Sequence, residues 1–267
     1  MMWRANLTKA ISLLAVLVRR PVEFSDRVRG IADNLIEARR PRACTYQSAS
    51  WSGVVIELEQ AEPGVAVYLE EPGLQALESR VARRYEEVAD MAWSGRYSAD
   101  LTLARCLYVL CRASRPNVVV ETGVAYGMTT AFILEALERN GQGTLLSIDL
   151  PPLGGREAKL VGALVPDEAR GRWVLTRGTS RRELERLVQD RTVDLFVHDS
   201  LHTYRNMRQE FAVAWTHLKT GGWIVSDDIE GNAAFLELRQ RPVSYWRAVR
   251  QEGKSSLLGL ARKDDVK

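Results

Sequence analysis

Acidic side chains recur where the predicted strands end. Asp199 directly follows the apolar run 193–198, and Asp227 and Asp228 come just after the run 223–225. Because parallel strands end along the same edge of a sheet, these three carboxylates should meet in one crevice. Crowded carboxylates repel one another unless protons or a cation neutralise them, and hard oxygen ligands suit Mg²⁺. The pattern predicts that Asp199, Asp227 and Asp228 bind Mg²⁺; in the alternative, Asp227 and Asp228 only begin a turn.

A histidine stands three residues after Asp199, at position 202. The unperturbed pKa of histidine is near neutrality, so His202 beside a bound hydroxyl group could accept its proton as a general base. In the alternative, His202 is structural and caps the helix that we expect near Tyr204. The other two histidines are less well placed, since His198 ends a predicted strand and His217 lies on a helix flank.

A glycine loop follows the valine-rich run 118–120. Three consecutive β-branched valines suit a strand that is covered on both faces, and Gly123 and Gly127 let the backbone turn and approach a ligand closely. The residues from Thr129 onward have helical character. A strand, a glycine loop and a helix N-terminus together form a nucleotide-type site, although the spacing is not that of a dinucleotide fold. In the alternative, this is an ordinary strand-to-helix turn.

A further carboxylate, Asp149, ends the next apolar run, 144–148. Its offset of about 20 residues from the glycine loop is the one expected of an acid that accepts hydrogen bonds from ribose hydroxyl groups. The alternative is a surface aspartate in front of the Pro151-Pro152 turn. The sequence therefore predicts Asp149 as a ribose ligand.

Strand and helix patterns alternate from residue 117 onward. This alternation predicts a parallel sheet with right-handed crossovers, and the runs 243–249 and 256–261 predict an antiparallel hairpin at its end. The fold class is therefore α/β: a Rossmann-like, doubly wound, seven-stranded sheet with a C-terminal antiparallel hairpin. The predicted capping box at Ser180 to Glu183 opens one of the helices.

The first 114 residues lack these motifs, and we expect them to form a helical extension to a catalytic domain at 115–267. Two helices broken at Pro21 are predicted within 1–42, with Ser25 as the cap of the second. Residues 43–72 are expected to be irregular. Helices are expected at 74–91 and at 99–113, the latter capped by Ser98. The extension would supply a lid, part of the acceptor pocket and an oligomer contact.

Composition limits the function. The chain has 267 residues, of which 46% are hydrophobic, and a net charge of +3, so charge alone does not indicate nucleic-acid binding. Three cysteines without metal spacing predict free thiols in the cytoplasm. The apolar run 11–18 is too short to span a bilayer, and we expect an amphipathic helix that packs on the protein or a partner; a helix on a membrane surface is the alternative.

Two stretches resemble a known family. Glu-x-Gly-x-x-x-Gly at 121–127 resembles motif I of class I S-adenosylmethionine (SAM) methyltransferases. Residues 196–204 and 218–228 resemble metal-dependent O-methyltransferases, most closely the macrocin type that acts on sugars and more distantly catechol O-methyltransferase. The resemblance covers about residues 115–262. It implies Asp199, Asp227 and Asp228 as metal ligands and His202 at the position of the lysine base of the catechol enzyme.

The resemblance also implies how the cofactor is bound. Glu121 and Gly123 would meet the methionine end of SAM, and Thr129 would hold its carboxylate. Ser180 would lie near the adenine. The cofactor-binding residues expected in this way are Glu121, Gly123, Ala125, Gly127, Thr129, Asp149 and Ser180.

The expected protein is a cytoplasmic, homo-oligomeric, Mg²⁺-dependent and SAM-dependent O-methyltransferase. Its acceptor would be a hydroxyl group of a sugar, a polysaccharide precursor or a glycosylated natural product, held by the metal while His202 takes the proton. Neither nucleic acid nor stable membrane insertion is expected. Two other readings stay open: a metal-independent methyltransferase of a small metabolite, and a non-catalytic subunit with the SAM fold.

Overall fold

The fold is seen in a computed structural model that describes residues 13, 15–39, 44–89, 100–151, 153 and 160–264. The predicted apolar run 11–18 lies partly outside the described residues, and the predicted cap Ser98 lies outside them. The strands are β1 (Ser48–Ala49), β2 (Val118–Thr122), β3 (Thr144–Asp149), β4 (Trp173–Arg177), β5 (Val193–His198), β6 (Leu218–Ser226), β7 (Val243–Arg250) and β8 (Leu257–Lys263).

The helices cover the two faces of the sheet. Short 3-10 turns lie at Asp167–Arg172, Ile229–Gly231 and Leu236–Gln240. The α-helices considered below are α1 (Pro21–Glu37), α2 (Trp51–Ala61), α3 (Val65–Leu69), α4 (Pro72–Ala89), α5 (Leu101–Ser114), α6 (Met128–Asn140), α7 (Ser180–Val188) and α8 (Tyr204–His217).

One sheet of eight strands has the order β1-β7-β8-β6-β5-β2-β3-β4. The strands β6, β5, β2, β3 and β4 are parallel neighbours, and β8 pairs antiparallel with both β6 and β7. The predicted Rossmann-like α/β fold with a C-terminal antiparallel hairpin is therefore confirmed. The seven predicted strands are β2 to β8, and the eighth, β1, is a two-residue edge strand that pairs with β7.

The central strand β2 is buried on both faces, as its valines predict. Val119 belongs to a core cluster with α2, α4, α5 and α6, whereas Val120 belongs to a second cluster with α7 and α8. Helices α2, α4 and α5 therefore pack on the same face of the sheet as α6. The boundary predicted at residue 114 stays a prediction.

The prediction that residues 43–72 are irregular is wrong. Ser50 caps α2 by accepting a hydrogen bond from the backbone N–H of Gly53, and α3 follows after a left-handed Gly64. Trp51, the first residue of α2, is only 6% exposed and packs in the core. Burial of apolar side chains such as Val54 thus stabilises helices in a segment whose Ser, Gly and Pro residues favour a loop.

Two predicted caps are also wrong. Helix α1 begins at Pro21, whose missing N–H is not needed in the first turn, and not after Ser25. The N-cap of α7 is Thr179, and Ser180 is already helical, so the predicted capping box does not form.

The N-cap of α8 is Thr203, which accepts a hydrogen bond from the backbone N–H of Asn206. The structural alternative for His202, a cap of this helix, is thereby excluded.

Helix α1 turns its acidic residues inward and its apolar residues outward. Asp26 accepts two hydrogen bonds of 2.9 Å from Arg182, and Asp33 accepts one of 2.7 Å from Arg181. Both aspartates are buried. The apolar side chains at helical spacing are exposed instead: Val28, Ile31, Leu35 and Ile36. Ion pairs with α7, and not apolar burial, therefore decide which face of α1 meets the protein.

These contacts lay α1 across the carboxyl ends of the strands. Arg27 donates a 2.6 Å hydrogen bond to the carbonyl of Pro151, which follows β3, and Arg177 at the end of β4 pairs with Glu23. A methyl group built on Gly30 would lie 3.9 Å from Leu201, which follows β5. Helix α1 thus covers the strand ends where a ligand is expected.

The three cysteines have no disulfide partner. Cys106 and Cys111 are buried in α5. None of the helices in the described part of the chain combines the length and the apolar character that a membrane crossing requires.

We expect the double variant Asp26→Asn and Asp33→Asn to loosen α1 without unfolding the sheet. Each change removes a charged acceptor, and hydrogen bonds to charged groups contribute about 1.5–3 kcal/mol. Amide hydrogen exchange of residues 21–37 should accelerate by at least about tenfold, whereas exchange in β2 and β5 should not change. The matched control is Glu37→Gln, a charge loss at the end of the same helix. Unchanged exchange in the double variant would contradict the role given to these ion pairs.

Candidate cofactor and acceptor site

Four loops meet at the carboxyl ends of the parallel strands. Backbone hydrogen bonds continue the sheet one residue beyond the strands and so fix where these loops start. The bonds run from Gly123 N to Ile148 O (2.9 Å), from Gly178 N to Asp149 O (2.9 Å), from Asp199 N to Thr122 O (2.8 Å) and from Asp227 N to His198 O (2.9 Å).

The glycine loop is bent so tightly that side chains are excluded. Gly123 and Gly127 have φ values of 85° and 86°, and a Cβ atom on Gly123 would lie 2.0 Å from the carbonyl oxygen of Asp199. Ala125, between them, also adopts a left-handed φ of 48°, which is uncommon for a residue other than glycine. The predicted loop residues Gly123, Ala125 and Gly127 are therefore brought together as a close-approach backbone cradle.

Glu121 is buried beneath this cradle. Its carboxylate accepts hydrogen bonds from the hydroxyl groups of Thr129 (2.8 Å), Thr130 (2.8 Å) and Ser147 (2.7 Å). Burial raises the pKa of Glu121 to about 7, against the lowering effect of these hydroxyl groups. Glu121 and Thr129 thus join the start of α6 to β2 and β3. Their expected contact with SAM stays a prediction.

Asp149 presents an unsatisfied acceptor beside the cradle. Its carboxylate accepts hydrogen bonds from the backbone N–H groups of Val124 and Leu150, yet Oδ2 is buried without a hydrogen-bond partner in the described part of the chain. Burial raises the pKa of Asp149 to about 6, while these N–H groups and nearby Arg177 oppose the rise. A buried acceptor costs free energy unless a donor reaches it, and a ribose hydroxyl group of SAM is such a donor. The site therefore fits the ribose of SAM.

The segment at the start of α7 lies next to Asp149. Ser180 is buried and its hydroxyl group lies 3.5 Å from the side chain of Asn206. The hydroxyl group of the neighbouring Thr179 is buried and has no hydrogen-bond partner among the described residues. Sequence reasoning missed Thr179, because the capping box drew attention to Ser180. The contact of Ser180 with adenine stays a prediction.

A buried glutamate supports the loop that carries Asp199. Glu210, on α8, accepts hydrogen bonds from Thr122 (2.6 Å), Ser200 (2.6 Å) and Asn206 (2.8 Å), and Nδ1 of His198 lies 2.7 Å from it. Burial alone would raise the pKa of Glu210. His198 and the hydroxyl groups have the larger combined effect and lower this pKa to about 2. Glu210 was missed because only the fold brings α8 under this loop; helical spacing alone gives no sign of it.

The three predicted acids and His202 come together at the next strand ends. Nε2 of His202 lies 3.6 Å from Asp199 Oδ1 and 4.0 Å from Asp228 Oδ2. Burial and repulsion by Asp227 raise the pKa of Asp199 to about 7, although His202 and Lys254 oppose this. Burial lowers the pKa of His202, but the nearby carboxylates, Asp199 first, raise it overall.

Lys254, which sequence reasoning missed, lies on the same carboxylates. Its Nζ atom is 2.5 Å from Asp227 Oδ2 and 2.9 Å from Asp228 Oδ1. In the described part of the chain, no three His, Cys, Asp or Glu side chains are grouped as ligands of one metal ion. With Lys254 bound to two of them, Asp199, Asp227 and Asp228 do not fit Mg²⁺ in this arrangement. The predicted Mg²⁺ site is therefore not supported by the described residues.

Comparisons with known proteins agree with this geometry. Residues 120–229 match the family model described as a methyltransferase domain. Comparison with curated proteins found no match.

Solved structures similar to the chain include three bacterial methyltransferases. The O-methyltransferase TomG from Streptomyces achromogenes, involved in tomaymycin synthesis and solved with SAM, has 16% identity and a TM-score of 0.56, covering 80% of this chain and 97% of its own. An O-methyltransferase from Bacillus cereus, solved with S-adenosylhomocysteine (SAH), has 14% identity and a TM-score of 0.54, covering 80% and 98%. A methyltransferase from Geobacter sulfurreducens has 16% identity and a TM-score of 0.51, covering 80% and 96%.

At these identities the structures show a shared fold, and the family model identifies the domain within it. Residues 120–229 thus match a methyltransferase domain within a fold that these solved structures share, in agreement with the resemblance inferred from motif I.

The raised pKa of Asp149 predicts that SAM affinity depends on pH. The carboxylate holds its proton up to about pH 6, so it can accept from ribose above that pH and loses this ability as the pH falls through it. Calorimetry should therefore show affinity about tenfold weaker at pH 5 than at pH 7.5. Asp149→Asn should bind SAM weakly at both pH values, with a loss of about 1.5–3 kcal/mol at pH 7.5.

The control is Asp167→Asn, which alters an exposed acid away from the strand ends and should retain the pH dependence of the unmodified protein. Equal SAM affinity at both pH values in the unmodified protein, or normal affinity in Asp149→Asn, would remove Asp149 from the cofactor site.

Proposed function

We propose that this protein transfers a methyl group from SAM to a hydroxyl oxygen of a small acceptor. The observation that carries the proposal is the unsatisfied carboxylate oxygen of Asp149 beside the glycine cradle, with His202 and Asp199 further along the same edge. The cradle and Asp149 would bind the cofactor. The region around His202 would then hold the acceptor where the methyl group leaves SAM.

His202 is the proposed proton acceptor. The acceptor oxygen forms a bond to the methyl carbon while the carbon–sulfur bond breaks, the electron pair stays on sulfur, and the hydroxyl proton passes to Nε2 of His202. Asp199, 3.6 Å from that nitrogen, stabilises the resulting imidazolium. Because a protonated imidazole cannot accept a proton, turnover should rise as the pH increases through the pKa of His202.

The Mg²⁺ dependence expected from the family resemblance is not part of this mechanism. Asp199, Asp227 and Asp228 converge, but an ammonium group lies on two of them. No step is therefore assigned to a metal ion.

A sugar or a glycosylated metabolite is the proposed acceptor class. Its support is the resemblance of residues 196–204 and 218–228 to the macrocin type of O-methyltransferase. The acceptor class can be tested by incubating the protein and labelled SAM with unmethylated sugars, glycosylated metabolites and catechols. Methylation of catechols alone would contradict the sugar assignment.

Helix α1 is proposed as the lid of the cofactor site. Its support is the hydrogen bond from Arg27 to the carbonyl of Pro151, which follows β3, and the closeness of Gly30 to Leu201, which follows β5. The expected homo-oligomer and cytoplasmic location stay predictions. The outward apolar residues of α1 are the surface where an oligomer contact would be sought.

Replacing His202 by alanine should reduce methyl transfer by about 10²–10⁴-fold at neutral pH, the usual contribution of a general base. SAM affinity should be preserved, because His202 is assigned to the acceptor. Raising the pH should partly restore turnover, since hydroxide can replace the base. Release of labelled methyl product and calorimetry with SAM measure the two effects.

His217→Ala is the matched control, since His217 lies at the end of α8 and pairs with Glu185 away from the strand ends. Its turnover should equal that of the unmodified protein. Normal turnover in His202→Ala at neutral pH would end the base assignment, and SAM binding without turnover on any acceptor would favour the non-catalytic alternative.

A further inference from the structure

The loop between β7 and β8 inserts a lysine into the acidic end of the site. The Lys254 side chain is 27% exposed, and its Nζ atom contacts Asp227 Oδ2 at 2.5 Å and Asp228 Oδ1 at 2.9 Å. These are oxygen atoms that a divalent cation would need if Asp227 and Asp228 were its ligands. A second cation at the same oxygens would be repelled by the ammonium group.

The loop is built to hold the lysine in this place. The Gln251 amide donates a 2.7 Å hydrogen bond to the other oxygen of Asp227, and the backbone N–H of Glu252 donates to Thr102 at 2.9 Å. Gly253 lies so close to Asp100 that a Cβ atom would be 2.2 Å from its carboxylate. The hairpin is thus fixed to the start of α5, and the position of Lys254 does not depend on its own side chain alone.

Lys254 and the two aspartates stabilise one another in their charged forms. Burial lowers the pKa of Lys254, but attraction by Asp227 and Asp228 raises it overall, so the side chain stays charged. Burial raises the pKa of Asp228, but Ser256, His202 and Lys254 lower it overall. Asp228 is also held at a left-handed φ of 47°, a conformation that is uncommon for residues other than glycine and recurs at functional sites.

The site still has unused hydrogen-bonding capacity. An ammonium group has three donors, of which the contacts with Asp227 and Asp228 take two. Oε1 of Gln251, which is only 6% exposed, is buried without a hydrogen-bond partner among the described residues. A hydroxyl-bearing acceptor beside His202 could use the remaining donor of Lys254.

We propose that Lys254 is the resident cation of the acceptor site, at the carboxylates that the sequence had assigned to Mg²⁺. Its free N–H would hold the acceptor oxygen and stabilise the negative charge that develops there as His202 removes the proton. This part of the inference rests on the proposed methyl transfer. The exclusion of a divalent cation by Lys254 does not, and it can be tested without turnover.

The test uses electron paramagnetic resonance to measure the binding of Mn²⁺, a paramagnetic substitute for Mg²⁺, to the unmodified protein and three variants. The unmodified protein should leave most of the Mn²⁺ free. Lys254→Met should bind one ion per chain, with an affinity at least about tenfold higher than that of the unmodified protein, because its carboxylates lose their counter-charge. Lys254→Arg, which keeps the charge, should behave like the unmodified protein and shows that the loop tolerates substitution.

Lys219→Met is the matched control, since it removes an ammonium group from the Asp194 ion pair at the start of β6 and should not create Mn²⁺ binding. Equal Mn²⁺ affinity in the unmodified protein and Lys254→Met would overturn the proposal. So would the absence of Mn²⁺ binding from a folded Lys254→Met, because the ammonium group would then not be excluding a divalent ion.

A turnover assay tests the catalytic role of Lys254 separately. The unmodified protein should keep its methyl transfer activity after EDTA treatment, and Lys254→Met should lose its activity when no divalent ion is added. Loss of activity in EDTA and its return with Mg²⁺ would overturn the catalytic role of Lys254. If no acceptor is methylated, the proposed function fails, and the Mn²⁺ measurement still decides the nature of the cation.

Discussion

The contact between the glycine loop and the end of β5 constrains the whole site. A side chain at Gly123 would collide with the carbonyl of Asp199, so the cofactor cradle and the acceptor loop touch through their backbones. The hydrogen bond from Asp199 N to Thr122 O closes the same contact from the other side. In the proposed function, the sheet itself would therefore hold a methyl donor in the cradle close to an acceptor near Asp199, and proximity of this kind lowers the barrier to transfer.

Buried charges organise the elements around this contact. Glu121 fixes the start of α6 and Glu210 fixes the loop after β5, each by accepting hydroxyl hydrogen bonds inside the core. Asp26 and Asp33 perform the same role for α1, with arginines of α7 as partners. Buried carboxylates are costly unless such partners are present, so each of these contacts favours one arrangement of the chain.

The sequence predicted the parallel sheet and most of its strand ends, because β-branched runs and glycine spacing are local signals. Asp149, Asp199 and His202 could be placed for the same reason, since a residue that follows a strand lies at a known edge of the sheet. Lys254 and Glu210 could not, because only the tertiary fold brings their elements to that edge. The face that α1 turns outward could not be predicted either, because the arginines that bind its inner face are more than 140 residues away in sequence.

The central claim is that the strand-end crevice binds SAM with its ribose on Asp149. A crystal structure of the protein with SAH tests it most directly. We predict that a ribose hydroxyl group lies within hydrogen-bond distance of Asp149 Oδ2, that the nucleoside lies against the loop from Gly123 to Gly127, and that the sulfur faces the side of the crevice that holds His202. SAH bound elsewhere, or bound with Asp149 Oδ2 still unpaired, would contradict the account.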